Sequence, residues 1–235
     1  MAAVCVVHMA RADEHPVVIS AGRIPFVFHP EKPGPYNQII DLMRRGLERP
    51  VEIEFFPLTS AMGQMADEKY DCFAMALRHS PNWQRIGLDQ NQYVFIGPVA
   101  WLEIGLYTRP GQTVPDGHSD DFILASDGTI ADLKTVFEGH WETHDLQETD
   151  SFVEALELLA DGSVDGVLAY DVDVRSLAED HPLNGKFTYS GIMVAELEDG
   201  LMCKSTSGMF PIILGLQENL DKLAADGTLE RLLKQ

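Results

Sequence analysis

Apolar and polar positions follow one another in a way that predicts strands and helices in turn along the first third of the chain. Residues 17–20 and Val51–Phe56 have the pattern of strands, and Cys72–Leu77 is a short apolar run that begins after Asp71. Between the first two strands, residues 36–47 place apolar side chains three and four positions apart, as in a helix with one buried face. This order of elements predicts parallel strands connected by crossover helices.

The second half of the chain repeats this style with different lengths. Residues 122–125 and 164–169 are predicted strands, and a helix is predicted over about residues 130–137. Ser151 and Glu154 form a capping box ahead of an apolar run, which predicts a second helix that starts there. The second half is therefore also expected to be an α/β unit.

Two tripeptides support a division into two similar lobes. Met65-Ala66-Asp67 and Leu159-Ala160-Asp161 are each followed, after three residues, by an Asp and an apolar run. A repeated helix end, turn and strand indicates two related α/β lobes with a ligand cleft between them. In an open parallel sheet the ligand lies at the carboxyl ends of the strands, which predicts site residues after Leu77, Ala125 and Ala169.

Two extended segments without a helical partner are predicted to connect the lobes. They cover residues 102–108 and about 197–204. The helical pattern of residues 211–223 and 229–233 then needs a partner, and we expect it to return to the first lobe.

The composition excludes some functions. With 37 acidic against 17 basic side chains among 235 residues, the net charge is −20, which repels nucleic-acid phosphates and anionic lipids. Solubility is the simplest explanation of this charge. The three cysteines include no CxxC pair, and Cys72 and Cys203 lie in apolar stretches typical of buried strands.

The N-terminal residues resemble part of an export signal. Residues 2–7 are apolar, and Ala10-Arg11-Ala12 resembles a small-x-small cleavage site. A basic start and a longer apolar stretch are missing. We interpret residues 1–12 as a truncated export signal of a periplasmic protein, with an unimportant tail as the alternative.

Several short motifs occur in an order that resembles one known family. They are Ile24-Pro25-Phe26, Asp41-Leu42, Tyr70-Asp71, Phe95-Ile96-Gly97-Pro98, Ser126-Asp127-Gly128-Thr129, Asp161-Gly162-Ser163-Val164-Asp165-Gly166 and Asp226-Gly227-Thr228. The series resembles the type II periplasmic solute-binding proteins, specifically family 3, which serves polar amino-acid ABC transporters. The resemblance implies an α/β fold of two lobes, each a mixed sheet flanked by helices, joined by a two-strand hinge.

The resemblance and the two connecting segments together give the expected domain limits. After the tail of residues 1–12, lobe 1 begins with residues 13–101 and lobe 2 covers residues 102–197. Residues 198–235 supply the return strand and the C-terminal helices of lobe 1.

The resemblance also implies two residues that bind the ligand. In the family an Arg beyond the first-lobe strand binds the ligand carboxylate, and an Asp after the equivalent second-lobe strand binds the ammonium. The matching positions are Arg85 and Asp171, and this chemistry is sound because guanidinium and carboxylate pair bidentately. The usual Thr-x-Glu-Arg stretch is replaced by Ser80-Pro81-Asn82-Trp83-Gln84-Arg85, so Arg78 competes for the carboxylate. A surface position is the alternative for Arg85, and a helix-dipole partner is the alternative for Asp171.

Other side chains are expected to contact the ligand as well. Arg23 occupies the position of an aromatic platform in the family, which predicts an acidic ligand group. Gly128, Thr129 and Ile130 begin a predicted helix whose free N–H groups suit an anion, with an ordinary capped helix as the alternative. The remaining predicted contacts are Phe26, Phe28, Ser80 and Tyr170.

These features predict a monomeric solute-binding protein that captures an amino-acid-like molecule in the cleft and passes it to a membrane ABC permease. We predict no cofactor, no nucleic-acid partner and no metal ion, since His140 and His144 have no evident third ligand. We do not expect an enzyme. The alternatives are an enzyme of the cyclohexadienyl dehydratase type that uses one pocket acid, and a ligand-sensing module for signalling.

Overall fold

The chain forms two compact units. The computed structural model describes residues 15–24, 27–80, 82–115, 121–131, 133–134, 137, 141, 146–175, 177 and 180–234. The predicted tail of residues 1–12 lies outside this part of the chain. Unit 1 holds the described residues within Met1–Met75, Gln92–Ile96 and Leu201–Gln235, and unit 2 holds those within Ala76–Asn91 and Gly97–Gly200. No helix in the described ranges is long and apolar enough to cross a membrane.

Unit 1 is built on parallel strands, as the sequence predicted. Strand β1 (Val17–Gly22) is buried along its whole length and lies parallel to β2 (Val51–Phe56) on one side and β3 (Cys72–Leu77) on the other. The strand order in this unit is β2-β1-β3-β8, where β8 is Thr188–Lys204. The connecting helices are α1 (Pro35–Met43) and α2 (Leu58–Ala61), and α2 runs into a 3-10 helix, Met62–Ala66.

The first helix ends earlier than its periodicity predicted. Helix α1 stops at Met43 instead of residue 47, and Gly46 in the next turn has a left-handed φ of 72°. The side-chain amide of Asn219 donates to the carbonyls of Met43, at 2.8 Å, and Arg45, at 2.9 Å. A distant residue therefore pairs carbonyls that a longer helix would have paired internally.

The C-terminal helices belong to unit 1. They are α7 (Phe210–Ala225) and α8 (Thr228–Leu233), and both contact α1. Asn219, which pairs the end of α1, lies on α7.

A disulfide joins two distant segments of unit 1. Cys72, the first residue of β3, is bonded to Cys203 near the end of β8, and the two lie 131 positions apart. Both side chains are fully buried, as predicted from their apolar surroundings, but the sequence did not predict the bond. Disulfides persist in oxidising compartments, so this bond fits an extracytoplasmic protein.

Unit 2 contains a mixed sheet with strand order β8-β4-β7-β5-β6. Strand β5 (Leu124–Asp127) lies parallel to β6 (Leu146–Thr149) and β7 (Gly166–Tyr170), whereas β7 lies antiparallel to β4 (Tyr93–Thr108). The helices of this unit are α3 (Asn82–Arg85), α4 (Gly128–Ala131), α5 (Phe152–Asp161) and α6 (Asp171–Arg175).

The predicted connecting segments lie inside longer strands. Residues 102–108 are the end of β4, and residues 197–204 are the end of β8. Strands β3, β4 and β8 each contain residues of both units. The predicted domain limits themselves stay a prediction.

The helix starts in unit 2 were predicted with mixed success. Ser151 caps α5 as expected, because its Oγ accepts the N–H of Glu154 at 3.2 Å, and Gly162 ends the helix with a φ of 86°. Helix α4 spans Gly128–Ala131 instead of residues 130–137, so it begins directly at the end of β5.

Side chains of β5 and β7 alternate between two apolar clusters on the two faces of the sheet. Leu124 and Leu168 belong to one cluster, and Ala125 and Val167 belong to the other. Tyr170 packs against the first cluster, so the last residue of β7 faces the same side as Leu124.

Candidate ligand-binding site

Strands β5 and β7 end in polar residues at one edge of the sheet in unit 2. They are neighbouring parallel strands, with Leu124 paired to Gly166. Asp127 is the last residue of β5, and Tyr170 is the last residue of β7. Because the strands are parallel, their polar ends meet at the edge where open α/β sheets bind ligands.

Asp127 accepts hydrogen bonds from Thr129 and Ile130, two of the three residues that were predicted to bind an anion. One of its oxygens, Oδ1, accepts the N–H of Thr129 at 2.8 Å, the hydroxyl of Thr129 at 2.5 Å and the N–H of Ile130 at 3.2 Å. A Cβ at Gly128 would lie 2.6 Å from Oε1 of Glu148, so the turn is narrow. The start of α4 is thus a carboxylate-capped turn, and an external anion would have to displace Asp127.

Tyr170 and Asp173 share a partly buried environment next to Asp127. Burial raises the pKa of the Tyr170 hydroxyl, and the charges of Asp127 and Asp173 raise it further. Burial also raises the pKa of Asp173 to about 6, with a smaller contribution from Asp127. Burial and a neighbouring like charge both disfavour the ionised form of Asp173. A cation bound beside Asp173 would favour the ionised form of its carboxyl group.

Asp171, the predicted ammonium ligand, begins α6 and already has two partners. Its Oδ1 accepts the hydroxyl of Tyr107 at 3.2 Å, and its Oδ2 lies 2.7 Å from Nη2 of Arg175. Burial raises the pKa of Tyr107, and the charge of Asp171 adds to this effect. Asp171 therefore takes part in a network at the strand-end edge, and its contact with a ligand stays a prediction.

Arg78, the alternative carboxylate ligand, forms an ion pair within unit 2. Its Nη1 lies 2.6 Å from Oε2 of Glu198, and its backbone N–H donates to the carbonyl of Glu198 at 3.0 Å. The side chain of Arg78 is 48% exposed and that of Glu198 is 24% exposed. The amide of Gln90 donates to the Arg78 carbonyl, which fixes the turn after β3.

A cavity of about 260 Å³ lies beside this ion pair. Its lining residues come from the end of β3, from the turn after α4 and from β8, and Ser80 among them is buried. They are Leu77, Arg78, His79, Ser80, Leu133, Glu196, Leu197 and Glu198. Two residues predicted from sequence, Arg78 and Ser80, are thus brought together here.

A larger hollow of about 650 Å³ in unit 1 is a weaker candidate. It is open to solvent and lies beside the turn between α1 and β2. Its lining consists mainly of charged surface residues such as Asp41, Arg44 and Arg49. Its lining reaches Val51, the first residue of β2, and includes no residue from the carboxyl end of a strand, where a parallel sheet would hold a ligand.

Two predicted contacts, Arg85 and Phe26, are only partly described or lie outside the described residues. The backbone of Arg85 ends helix α3, but its side chain is outside the described part of the chain, as is Phe26. Trp83, in the same helix, is buried, and its indole N–H donates to the carbonyl of Leu77 at 3.4 Å. His140 and His144 also lie outside the described residues.

Arg23 and Phe28 belong to unit 1. The guanidinium of Arg23 donates to the backbone carbonyl of Phe55 at 2.8 Å and is exposed. Phe28 is fully buried, and its ring packs edge-on against Phe55 with centroids 4.9 Å apart. Packing accounts for the position of Phe28, and the ligand roles of both residues stay predictions.

Sequence reasoning missed several residues of the site. Asp127 lies in a quoted motif and Asp173 lies two positions after Asp171, so their position after predicted strands was a usable signal. Glu196 and Glu198 gave no local signal, since their position beside Arg78 depends on β8 pairing near the end of β3.

No protein-family model matches the chain, and no curated protein matches it in sequence. Solved structures match it over nearly its whole length. A histidine kinase sensor domain with similarity to periplasmic binding proteins is 16% identical, with a TM-score of 0.70 over 94% of this chain and 95% of its own. The GluR0 ligand-binding core in complex with L-glutamate is 18% identical, with a TM-score of 0.70 over 94% and 97%. The L-cystine solute receptor of Neisseria gonorrhoeae, in its unliganded open conformation, is 17% identical, with a TM-score of 0.60 over 94% and 92%.

These similarities show the fold. The chain has the α/β, two-lobed fold of proteins that resemble type II periplasmic binding proteins, as the motif series predicted. At these sequence identities, all below 20%, the similarity shows the architecture alone. The function has to be argued from the residues of the site.

Proposed function

We propose that this chain is an extracytoplasmic solute-binding protein of family 3 that captures an amino-acid-like small molecule for ABC-type uptake. The observation that carries the proposal is the polar edge of unit 2, where Asp127 and Tyr170 end neighbouring strands and Asp171 begins helix α6. This is the edge at which open α/β sheets bind ligands, and a cavity beside Arg78 lies in the same unit.

The two ends of an amino acid have complementary partners in this unit. A guanidinium, from Arg78 or Arg85, suits the ligand carboxylate because it forms bidentate hydrogen bonds. Asp171 suits the ammonium, which would join the network of Asp171 with Tyr107 and Arg175. This assignment needs no cofactor and no metal ion.

The proposed location is the periplasm, and the proposed partner is a membrane ABC permease that receives the ligand from a monomer. The buried Cys72–Cys203 disulfide supports an oxidising compartment. The net charge of −20 disfavours nucleic acid as a partner.

Signalling is the second candidate function. Its support is the sensor domain of a histidine kinase, which matches this chain with a TM-score of 0.70. In that case the same ligand would be sensed and not transported.

An enzyme of the dehydratase type is a third candidate, supported by one residue. Burial raises the pKa of Asp173 to about 6, a value at which a carboxyl group can exchange protons near neutral pH. Turnover of prephenate-like acids by the purified protein would support this candidate over the first two.

A thermal-melt screen of the purified, oxidised protein tests ligand binding directly. The panel contains the standard amino acids, dicarboxylic acids and prephenate at fixed salt and pH. A ligand at a hundred times its Kd adds roughly 2.7 kcal/mol of stability, which is readily measured. A panel without any shift would contradict the proposed function. Genes for a permease and an ATPase beside this one favour uptake, and a kinase gene favours signalling.

A further inference from the structure

The cavity beside Arg78 has an apolar side. Leu133 is buried in the first apolar cluster of unit 2, and Leu77 and Leu197 pack against the same cluster. All three line the cavity. A ligand group in contact with these side chains gains most when it is a hydrocarbon, because hydrocarbon surface is then removed from water.

The polar side of the cavity has two carboxylates, Glu196 and Glu198, and its basic residues are Arg78 and His79. Glu198 forms an ion pair with Arg78 at 2.6 Å. Glu196 also lines the cavity and is exposed, and its carboxylate has no hydrogen bond or ion pair within the described ranges. Two carboxylates thus lie beside one guanidinium. The second carboxylate attracts a cationic group and repels an anionic one.

The size of the cavity limits the ligand. Pockets for drug-sized molecules span roughly 300–1,000 Å³. A volume of about 260 Å³ suits a molecule of amino-acid size.

We propose that this cavity selects an amino acid with an aliphatic side chain. The ligand ammonium pairs with Glu196, the carboxylate approaches Arg78, and the hydrocarbon chain lies against Leu77, Leu133 and Leu197. The inference rests on the proposed function and deepens it by naming the ligand class, and it assigns the ligand ammonium to Glu196, which lines the cavity, in place of Asp171, which does not.

This ligand class differs from the acidic ligand that the sequence predicted. That expectation depended on Arg23, whose guanidinium donates to a backbone carbonyl in unit 1. In unit 2 an acidic ligand side chain would meet Glu196 and Glu198, with Asp127 and Asp173 also in that unit. Repulsion between the acidic ligand side chain and these carboxylates would weaken its binding.

Calorimetric titration of the purified, oxidised protein tests the proposal with four kinds of ligand. L-leucine and L-norleucine are expected to bind at least tenfold more tightly than L-glutamate and L-aspartate. 4-Methylpentanoate, which is leucine without its ammonium, and 3-methylbutylamine, which is leucine without its carboxylate, are each expected to bind at least tenfold more weakly than leucine.

Two variants test the assigned contacts. Glu196→Gln is expected to weaken leucine binding at least tenfold. The same change is expected not to weaken the binding of 4-methylpentanoate, which has no ammonium and is repelled by the Glu196 carboxylate. The matched control is Glu103→Gln, an exposed glutamate of β4 that does not line the cavity, and it is expected to bind leucine as the wild type does. Leu197→Trp fills the cavity and is expected to abolish leucine binding. Melting curves without ligand check that each variant folds.

The outcomes separate this inference from the proposed function. Tighter binding of glutamate than of leucine, or unchanged leucine binding by Glu196→Gln, overturns the inference and leaves an amino-acid-binding protein. An absence of binding by every amino acid overturns both.

Discussion

The guanidinium of Arg78 lies 2.6 Å from the carboxylate of Glu198, a residue 120 positions later in the chain. The pair joins the end of β3 to β8 beside the cavity of unit 2. Ion pairs exposed to this degree contribute roughly 0–1 kcal/mol to stability, because water screens them and two long side chains lose freedom. The pair is therefore expected to contribute little to the stability of the fold, and the proposed role of Arg78 in ligand binding can be tested separately from it.

Replacement of Arg78 separates these two roles. We expect Arg78→Gln to lower the free energy of unfolding by less than about 1 kcal/mol. We expect it to weaken ligand binding at least tenfold, about 1.4 kcal/mol, because the carboxylate loses a charge-assisted partner. Urea unfolding and calorimetric titration measure the two effects.

The matched control for Arg78→Gln is Arg44→Gln. Arg44 forms an ion pair with Asp41 at 2.6 Å in unit 1 and has a similar exposure. Arg44→Gln is expected to change the free energy of unfolding and the ligand affinity only slightly. A large loss of stability in Arg78→Gln with unchanged binding would show that the residue is structural.

The disulfide is expected to contribute strongly to stability. It connects Cys72 to Cys203 and closes a long loop, so its removal frees many conformations of the unfolded chain. The double variant Cys72→Ala, Cys203→Ala should lose about 2–5 kcal/mol of unfolding free energy in urea titrations. A reducing agent should destabilise the wild type and leave the double variant unchanged, and equal stability of the two oxidised proteins would disprove the prediction.

A buried acid in β8 makes the stability depend on pH. Asp199 is fully buried, and its carboxylate oxygens have no well-formed hydrogen bond among the residues described, although the backbone N–H of Gly200 partly opposes the effect of burial on the pKa. Burial raises its pKa well above the usual range. In the unfolded chain an Asp loses its proton near pH 4, so the folded state loses relative stability as the pH rises from there toward the raised pKa.

Asp199→Asn removes this titration. We expect the unfolding free energy of the variant, relative to the wild type, to rise between pH 4 and pH 7. Each pKa unit that separates the folded and unfolded states within this range adds about 1.4 kcal/mol. Urea unfolding at several pH values measures the difference, and a pH-independent difference would show that Asp199 is not shifted.

Gly166 begins β7 at a place with no room for a side chain. A Cβ there would lie 2.8 Å from methyl groups of both Leu106 and Leu124. We expect Gly166→Ala to lower the unfolding free energy by about 1–3 kcal/mol, because the added methyl group would overpack the surrounding core. Gly63→Ala is the control, since a Cβ at Gly63 meets nothing within 4 Å. Equal melting temperatures for the two variants would contradict this account.

Much of the local structure was readable from sequence because it depends on neighbouring residues. The strands Val51–Phe56 and Cys72–Leu77 have their predicted limits, and Ser151 caps α5 as its spacing with Glu154 indicated. Alternation and capping act over a few positions, so one segment of sequence contains the whole signal. The order of short motifs, through its resemblance to a known family, also predicted the two-lobed fold.

The tertiary structure decided the features that join distant segments. Asn219 pairs the carbonyl of Met43 at the end of helix α1, Cys72 is bonded to Cys203, and Arg78 is paired with Glu198. Each partner lies more than a hundred positions away, and no local pattern identifies it. The sequence determined which segments form strands and helices, because backbone hydrogen bonding and side-chain alternation are local. Only the folded chain determined which charges surround a cavity, because that depends on the pairing of strands far apart in sequence.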